Sequence, residues 1–411
     1  MLVASLFKRL VRIGAIEVID AQGRRRRFTG AAPGPEVAIR IHDRRADRRI
    51  LLNPRLAVGE AFMDGTLTIE RGTLYDFLDF AAINMEIAAA PPIARVIDGC
   101  RWLWRRLEQL NDPTRARHNV AHHYDLSGKL YELFLDADRQ YSCAYFGRPG
   151  DELERAQLRK KQHIARKLLL EPGQRVLDIG SGWGGLALTL AQSADVEVLG
   201  ITLSTEQQAE ATRRAAAAGL AHKVKFELLD YRAVEGPFDR IVSVGMFEHV
   251  GMPNYLRFFA QIRHLLKPDG VALLHAIGRS DGPGTTNPWI AKYIFPGGYS
   301  PALSEVLPAV EAAKLFVTDI EILRLHYART LAAWRARFNA HRAQIAEIYD
   351  ERFCRMWEFY LVGSEIAFRR SGHMVWQMQM AREVDAVPLT RDYAYEPAAE
   401  PLAVVGKASA A

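Results

Sequence analysis

The chain has 411 residues, 49% of them hydrophobic and 25% charged, with a formal net charge of +6. This balance describes a soluble globular chain long enough for two domains, and no apolar run reaches the ~18 residues that a membrane span requires. Three widely spaced cysteines, Cys100, Cys143 and Cys354, fit neither a disulfide framework nor a structural zinc site, and point to a reducing cytoplasm.

Residues 1–13 are apolar but interrupted by Lys8, Arg9 and Arg12, and no small-residue cleavage site follows, which argues against a signal peptide. Read as a helix, they place Leu2, Leu6, Leu10 and Ile13 on one face. That suits a helix lying in a membrane interface; the plainer alternative is a helix packed on its own domain. Residues 1–60 carry 13 Lys/Arg against 6 Asp/Glu, including the run Arg24, Arg25, Arg26 and Arg27. Such a patch can meet anionic lipid, nucleic acid or plain water. Residues 37–43 and 65–69 alternate like strands, and 74–90 have helical spacing up to Pro91-Pro92. Residues 1–90 are therefore expected to form a small basic α+β domain, with 91–117 as a linker.

From residue 154 the pattern changes. A helix over 154–170 precedes apolar strands at 175–179, 196–201, 223–229, 239–244 and 270–277. Helical segments at 185–193, 205–218 and 253–266 separate them. This alternation predicts an α/β fold with a doubly wound, mostly parallel sheet. Residues 314–326 add one or two strands, and 330–385 read as long helices. The Ala/Pro/Gly-rich tail, 396–411, is expected to be disordered.

Residues 175–185, Arg-Val-Leu-Asp-Ile-Gly-Ser-Gly-Trp-Gly-Gly, form a strand, a glycine turn and a helix start, which lets backbone approach a ligand closely. Gly180, Gly182 and Gly185 also satisfy the dinucleotide spacing G-x-G-x-x-G. Two features oppose that reading. The acid wanted about 20 residues later for a ribose is missing from Gly200-Ile-Thr-Leu203. Asp178, just before the loop, would repel a pyrophosphate but welcome the cationic amino-acid arm of S-adenosylmethionine (SAM).

Ligands of open parallel sheets collect beyond the carboxyl ends of the strands. Strand 239–244 runs into Gly245-Met-Phe-Glu-His-Val-Gly251, and strand 270–277 ends near Leu274-His-Ala-Ile277. Glu248 and His275 thus reach the ligand edge together, although a lone histidine is ordinarily structural and a glutamate there also suits a cofactor amino group. The loop after 239–244 lacks the Asn/Asp-Pro-Pro-aromatic motif that grips a flipped base, so no nucleic-acid partner is expected.

Eight stretches in order, His122-His-Tyr-Asp125, Gln140-Tyr-Ser-Cys-Ala-Tyr-Phe146, 176–184, 200–204 with Gln207, Phe247-Glu-His-Val-Gly251, Leu274-His-Ala-Ile277, Lys292-Tyr-Ile-Phe-Pro-Gly-Gly298 and His326-Tyr-Ala-Arg-Thr-Leu331, resemble the cyclopropane-fatty-acyl-phospholipid and mycolic acid synthase family. The resemblance implies a Rossmann-like class I methyltransferase domain over 118–395 with a lipid pocket. It also implies methylene transfer from SAM to the cis double bond of a phospholipid acyl chain. The implied proton acceptor is a bicarbonate held by Cys143, Glu248, His275, the backbone at Ile277, and Tyr327. Cofactor contacts carry over to Tyr141, Ser142, Asp178, Gly180, Gly182, Thr202, Leu203, Gln207, Asp230 and Tyr231. No metal is implied. Attachment is expected to be peripheral, on the inner face of a phospholipid bilayer, with a homodimer suggested.

The chemistry is consistent with those residue types. A carbocation on the acyl chain needs a water-free pocket, and aromatic faces stabilise it by about 0.5–2 kcal/mol each. Tyr124, Tyr141, Tyr145, Phe146, Tyr293 and Phe295 are candidates for that wall, with ordinary core packing as the alternative. Cys143 suits a hydrogen-bonding thiol better than a nucleophile. Three other readings remain open: a methyl-branched product, a small-molecule methyltransferase, and a non-catalytic lipid- or cofactor-binding protein.

Overall fold

A computed structural model of the protein describes residues 3–87, 109 and 128–395. The His122–Asp125 motif with Tyr124, the 91–117 linker apart from Gln109, and the 396–411 tail lie outside the described residues.

The N-terminal unit opens with helix Ala4–Leu10, then strands β1 (Ile13–Ile19), β2 (Arg25–Thr29) and β3 (Ala32–Ile41). Helices Arg44–Leu52 and Pro54–Met63, strand β4 (Leu67–Arg71) and helix Leu74–Ile87 complete it. The sheet order is β2-β1-β3-β4, with β1 and β3 parallel and the outer pairs antiparallel. The expected interfacial helix is corrected. Val3 and Ala4 are buried, Leu6 and Phe7 pack with Val11 against the domain's own core, and Ile13 already belongs to β1. β-branched residues in Ile13–Ile19 favour a strand, and this run was not read as one. The arginine run is also a strand, the edge strand β2, with Arg25, Arg26 and Arg27 exposed.

The second unit holds a seven-stranded sheet: β5 (Arg175–Ile179), β6 (Glu197–Thr202), β7 (Val224–Leu228), β8 (Phe238–Val244), β9 (Leu266–Arg279), β10 (Phe316–Ile322) and β11 (His373–Ala381). Their order is β10-β11-β9-β8-β5-β6-β7. β5 to β9 pair in parallel, and β11 runs antiparallel to both of its neighbours. Alternate residues of each strand enter different cores. Val176 and Val198 pack under helices Leu153–Lys167, Gly185–Ala194 and Thr205–Ala217, whereas Leu177 and Ile179 pack with helices Tyr255–Leu265 and Leu303–Ala312. That is the doubly wound sheet expected, and its order reverses between β5 and β8, where a crevice opens.

One element differs. Residues 330–385 are not all helical: helices His326–Ala340, Arg342–Ile348 and Glu351–Arg370 are followed by β11, inserted between β9 and β10. Its Met, Gln and Ala residues favour helices, but buried sheet pairing on both sides overrides that preference.

Candidate active site

The switch point forms an open cleft of about 1260 Å³. Its floor is the glycine turn after β5. Gly180 has φ +83°, and a Cβ there would stand 2.9 Å from the Met246 side chain, so only glycine lets the turn close. All ten expected cofactor residues line this cleft: Tyr141, Ser142, Asp178, Gly180, Gly182, Thr202, Leu203, Gln207, Asp230 and Tyr231. They come from the ends of three consecutive parallel strands, β5, β6 and β7, and one preceding loop. Ser204 caps the helix after β6 by accepting from the Gln207 amide, and Thr202 Oγ1 donates to Gln207 Oε1 at 3.0 Å, which fixes this rim. Asp230 accepts from the Arg232 guanidinium through both carboxylate oxygens, at 2.8 and 2.6 Å.

Asp178 is the exception among these acids. It is 1% exposed, and its Oδ2 has no hydrogen-bond partner among the described residues. Burial raises its carboxyl to about 7, and the nearby Lys160 only partly opposes this. An orphaned buried acceptor beside a glycine turn fits a ligand that brings its own cation, as the amino-acid arm of SAM does.

A second hollow, of about 700 Å³, adjoins the cleft. Cys143, Glu248, His275, Ile277 and Tyr327 all line it, and Tyr141, Ser142, Gly245 and His249 line both spaces. Five residues spread over some 180 positions therefore meet around one cavity. Glu248 sits on the short 3-10 turn Phe247–His249 after β8. Its Oε1 accepts the Ile277 N–H at 2.6 Å, and Oε2 has no partner among the described residues. Burial raises this carboxyl to about 7. Because the Ile277 amide is engaged by Glu248, the backbone contact expected of Ile277 falls to its carbonyl. Burial also pushes the Cys143 thiol up, so it remains protonated. Burial, with Lys160 and Lys167 nearby, pulls His275 down to about 3, leaving a neutral imidazole.

The aromatic expectations divide. Tyr141 and Phe295 line the hollow, joined by Tyr299 and Tyr327. Tyr145 does not: it stacks between His163 and His326, at centroid distances of 4.5 and 4.8 Å. Phe146 lies beneath Arg329, and the Tyr293 hydroxyl donates to Glu60 of the N-terminal unit at 2.9 Å. These three serve packing and domain contact.

Sequence reasoning missed the polar props behind the site. Lys160, 1% exposed, donates to Gln140 Oε1 at 2.6 Å and Ser142 Oγ at 2.8 Å. Gln157 donates to the Gln140 and Ser142 carbonyls at 3.1 and 2.9 Å. Both hold the loop that bears Tyr141, Ser142 and Cys143. His249, which burial lowers to about 4, is a further cavity residue that was passed over, although it stands in the Phe247–Gly251 motif.

Comparison with known proteins agrees with this geometry. The family description "Mycolic acid cyclopropane synthetase" matches residues 111–378. The cyclopropane-fatty-acyl-phospholipid synthase of Escherichia coli (strain K12) is 40% identical over 358 residues, covering 87% of this chain and 90% of that protein. The tuberculostearic acid methyltransferase UfaA1 of Mycobacterium tuberculosis (strain ATCC 25618 / H37Rv) is 41% identical over 283 residues, 66% of each chain. The crystal structure of mycolic acid cyclopropane synthase CmaA1 complexed with SAH and CTAB superposes with a TM-score of 0.61 at 34% identity, covering 64% of this chain and 97% of that one. With a class I methyltransferase sheet and a cleft at its switch point, the chain belongs to the mycolic acid cyclopropane synthetase family of SAM-dependent methyltransferases.

Proposed function

We propose that this enzyme transfers a methylene group from SAM to the cis double bond of an unsaturated phospholipid acyl chain, closing a cyclopropane ring. One observation carries the reading: a largely apolar hollow shares a wall with the cofactor cleft and gathers Cys143, Glu248, His275, Ile277 and Tyr327.

SAM supplies an electrophilic sulfonium methyl. The residues of the chain do the rest. The Tyr141–Cys143 loop, braced by Gln157 and Lys160, aligns an olefin with that methyl, and positioning of this kind supplies much of the rate for a weak nucleophile. The alkene π pair forms the new C–C bond as the C–S bond breaks, which leaves a cation on the acyl chain. Tyr141, Phe295, Tyr299 and Tyr327 offer ring faces to it and keep water out. A bicarbonate held by Cys143, Glu248, His275, Ile277 and Tyr327 would supply the base for one proton of the new methyl group, whose C–H pair then closes the ring. The protonated thiol of Cys143 and the neutral imidazole of His275 are donors for that anion. Glu248 Oε2 and the Ile277 carbonyl are acceptors for its hydroxyl.

No helix among the described residues is long and apolar enough to cross a membrane. Reaching a double bond inside a bilayer calls for docking on the membrane surface. The exposed arginines of β2 support that approach, since basic residues at an anionic surface contribute about 1 kcal/mol each. The test is incubation with labelled SAM and mono-unsaturated phospholipid vesicles, followed by mass analysis. A gain of one CH2 with no double bond and a ring is expected. A saturated methyl-branched chain, the second reading, favoured by the 41% identity to a fatty acid methyltransferase over a shorter stretch, would refute ring closure.

A further inference from the structure

Behind His275 lies a line of fully buried polar side chains that the mechanism above does not use. Gln377, on the neighbouring strand β11, is in register with His275, and its Nε2 lies 3.1 Å from His275 Nδ1. The other end of the same amide, Oε1, accepts from Lys167 Nζ at 3.0 Å. Lys167, 1% exposed on helix Leu153–Lys167, is held in turn by Glu321, with Asp319 3.8 Å away, both on β10. Gln377 and Gln379 are both wholly buried, and Gln379 donates to the Lys167 carbonyl at 2.6 Å, which pins the end of that helix.

The donors and acceptors in this line permit only one arrangement. A lysine ammonium has three donors and no acceptor, so it must face the amide oxygen of Gln377. The amide NH2 then faces His275, and because it donates, Nδ1 must be the bare, accepting nitrogen. A neutral imidazole carries its single proton on the other nitrogen. We infer that Lys167 and Gln377 are positioning residues that lock His275 as its Nε2–H tautomer, so that the ring offers a donor rather than an acceptor to the hollow it lines. The inference rests on the proposed reading only in what that donor serves, the anion that takes the proton. A strand register (Gln377 opposite His275) and a helix-end lysine thereby set the polarity of the site from behind, much as carboxylates orient histidines in other enzymes.

Gln377→Glu tests this with little change of shape. A carboxylate still accepts from Lys167, but it has no donor for His275, so the ring must turn to its Nδ1–H form. Full-length protein labelled with [15N]histidine gives the tautomer from two-bond 1H–15N correlations at about pH 8, with His275 identified by the signals lost in His275→Asn. The wild type should show Nε2–H, and Gln377→Glu should show Nδ1–H. Turnover on mono-unsaturated phospholipid vesicles should then fall by roughly 10–100-fold, the usual effect of losing a residue that orients a functional histidine, with SAH affinity unchanged. An Nδ1–H signal in the wild type, or Nε2–H persisting in the variant, overturns the inference. The wild-type spectrum alone decides should the variant not fold. A switched tautomer with undiminished turnover would uphold the positioning and instead refute the catalytic use of His275.

Discussion

Asp178→Asn is expected to move cofactor affinity and stability in opposite directions. The wild-type carboxyl is buried, lacks a partner at Oδ2, and is raised to about 7 from the ordinary 3.8. Because the folded value lies above the unfolded one, the folded chain keeps this proton longer. Stability is therefore full below about pH 4, declines as pH rises through about 7, and levels off above it. Asparagine has the same shape and never ionises, so the variant should lack this decline and be at least as stable at pH 8. Affinity moves the other way. An ammonium group meeting a buried carboxylate makes a charge-assisted hydrogen bond with a net contribution of about 1.5–3 kcal/mol. Losing it weakens binding roughly 10- to 150-fold. Titration calorimetry with SAH, which carries the same amino-acid arm, and thermal denaturation from pH 5 to 8 measure both effects. Undiminished SAH affinity, or a variant clearly less stable than wild type at pH 8, would refute the assignment of Asp178 to the cationic arm.

Glu248→Gln keeps an acceptor for the Ile277 amide, so folding and SAH affinity should hold. Exchanging the accepting Oε2 for a donating NH2 should lower turnover by roughly 10- to 100-fold, and near-normal rates would remove Glu248 from the anion site. Cys143→Ser retains a hydroxyl donor where burial already keeps the thiol protonated, so turnover should stay within about tenfold of wild type; abolished turnover with an intact fold would point to a nucleophilic thiolate instead. Neutralising Arg25, Arg26 and Arg27 together should weaken co-sedimentation with anionic vesicles by roughly 100-fold and leave neutral vesicles unaffected. Unchanged binding to anionic vesicles would remove β2 from the docking surface.

Much of the catalytic domain was legible because its physics is periodic. Strands buried on both faces read as short apolar runs, and the rule that ligands gather at their carboxyl ends places Asp178, Glu248 and His275 at the ligand edge from sequence alone. What stayed hidden is polar and buried. Helix Leu153–Lys167 has few apolar residues, yet it covers the sheet, so Gln157, Lys160, Lys161, His163 and Lys167 are buried with it. Lysine on a helix ordinarily reads as a solvated face. Only the partners supplied by β10, β11 and the 138–143 loop make these burials tolerable, and those partners are 15 to more than 200 residues away. The same long-range pairing hid β11, whose Gln377 and Gln379 look like helix surface until the Gln377 amide is seen to bridge Lys167 and His275 and the Gln379 amide to donate to the Lys167 carbonyl.

The small N-terminal unit acquires a structural reason from its contacts with the hollow's outer wall. Helix Pro288–Tyr293 presents Ile290 to the hollow and turns Trp289 the other way, against Gly59, where a Cβ would stand 2.5 Å from the indole ring. The Trp289 indole N–H donates to Met63 Sδ at 3.2 Å, and Glu60, 3% exposed, accepts from Lys292 at 2.7 Å and Tyr293 at 2.9 Å. Phe62 and Phe359 meet at 6.0 Å, while Val362 and Ile366 of helix Glu351–Arg370 complete the N-terminal core. The proposed reaction asks this wall to keep water out, and the six-residue helix that carries Ile290 is too short to be stable alone. The N-terminal unit braces that wall: Gly59, Glu60 and Met63 hold Trp289, Lys292 and Tyr293 from behind, while Ile290 of the same helix lines the hollow.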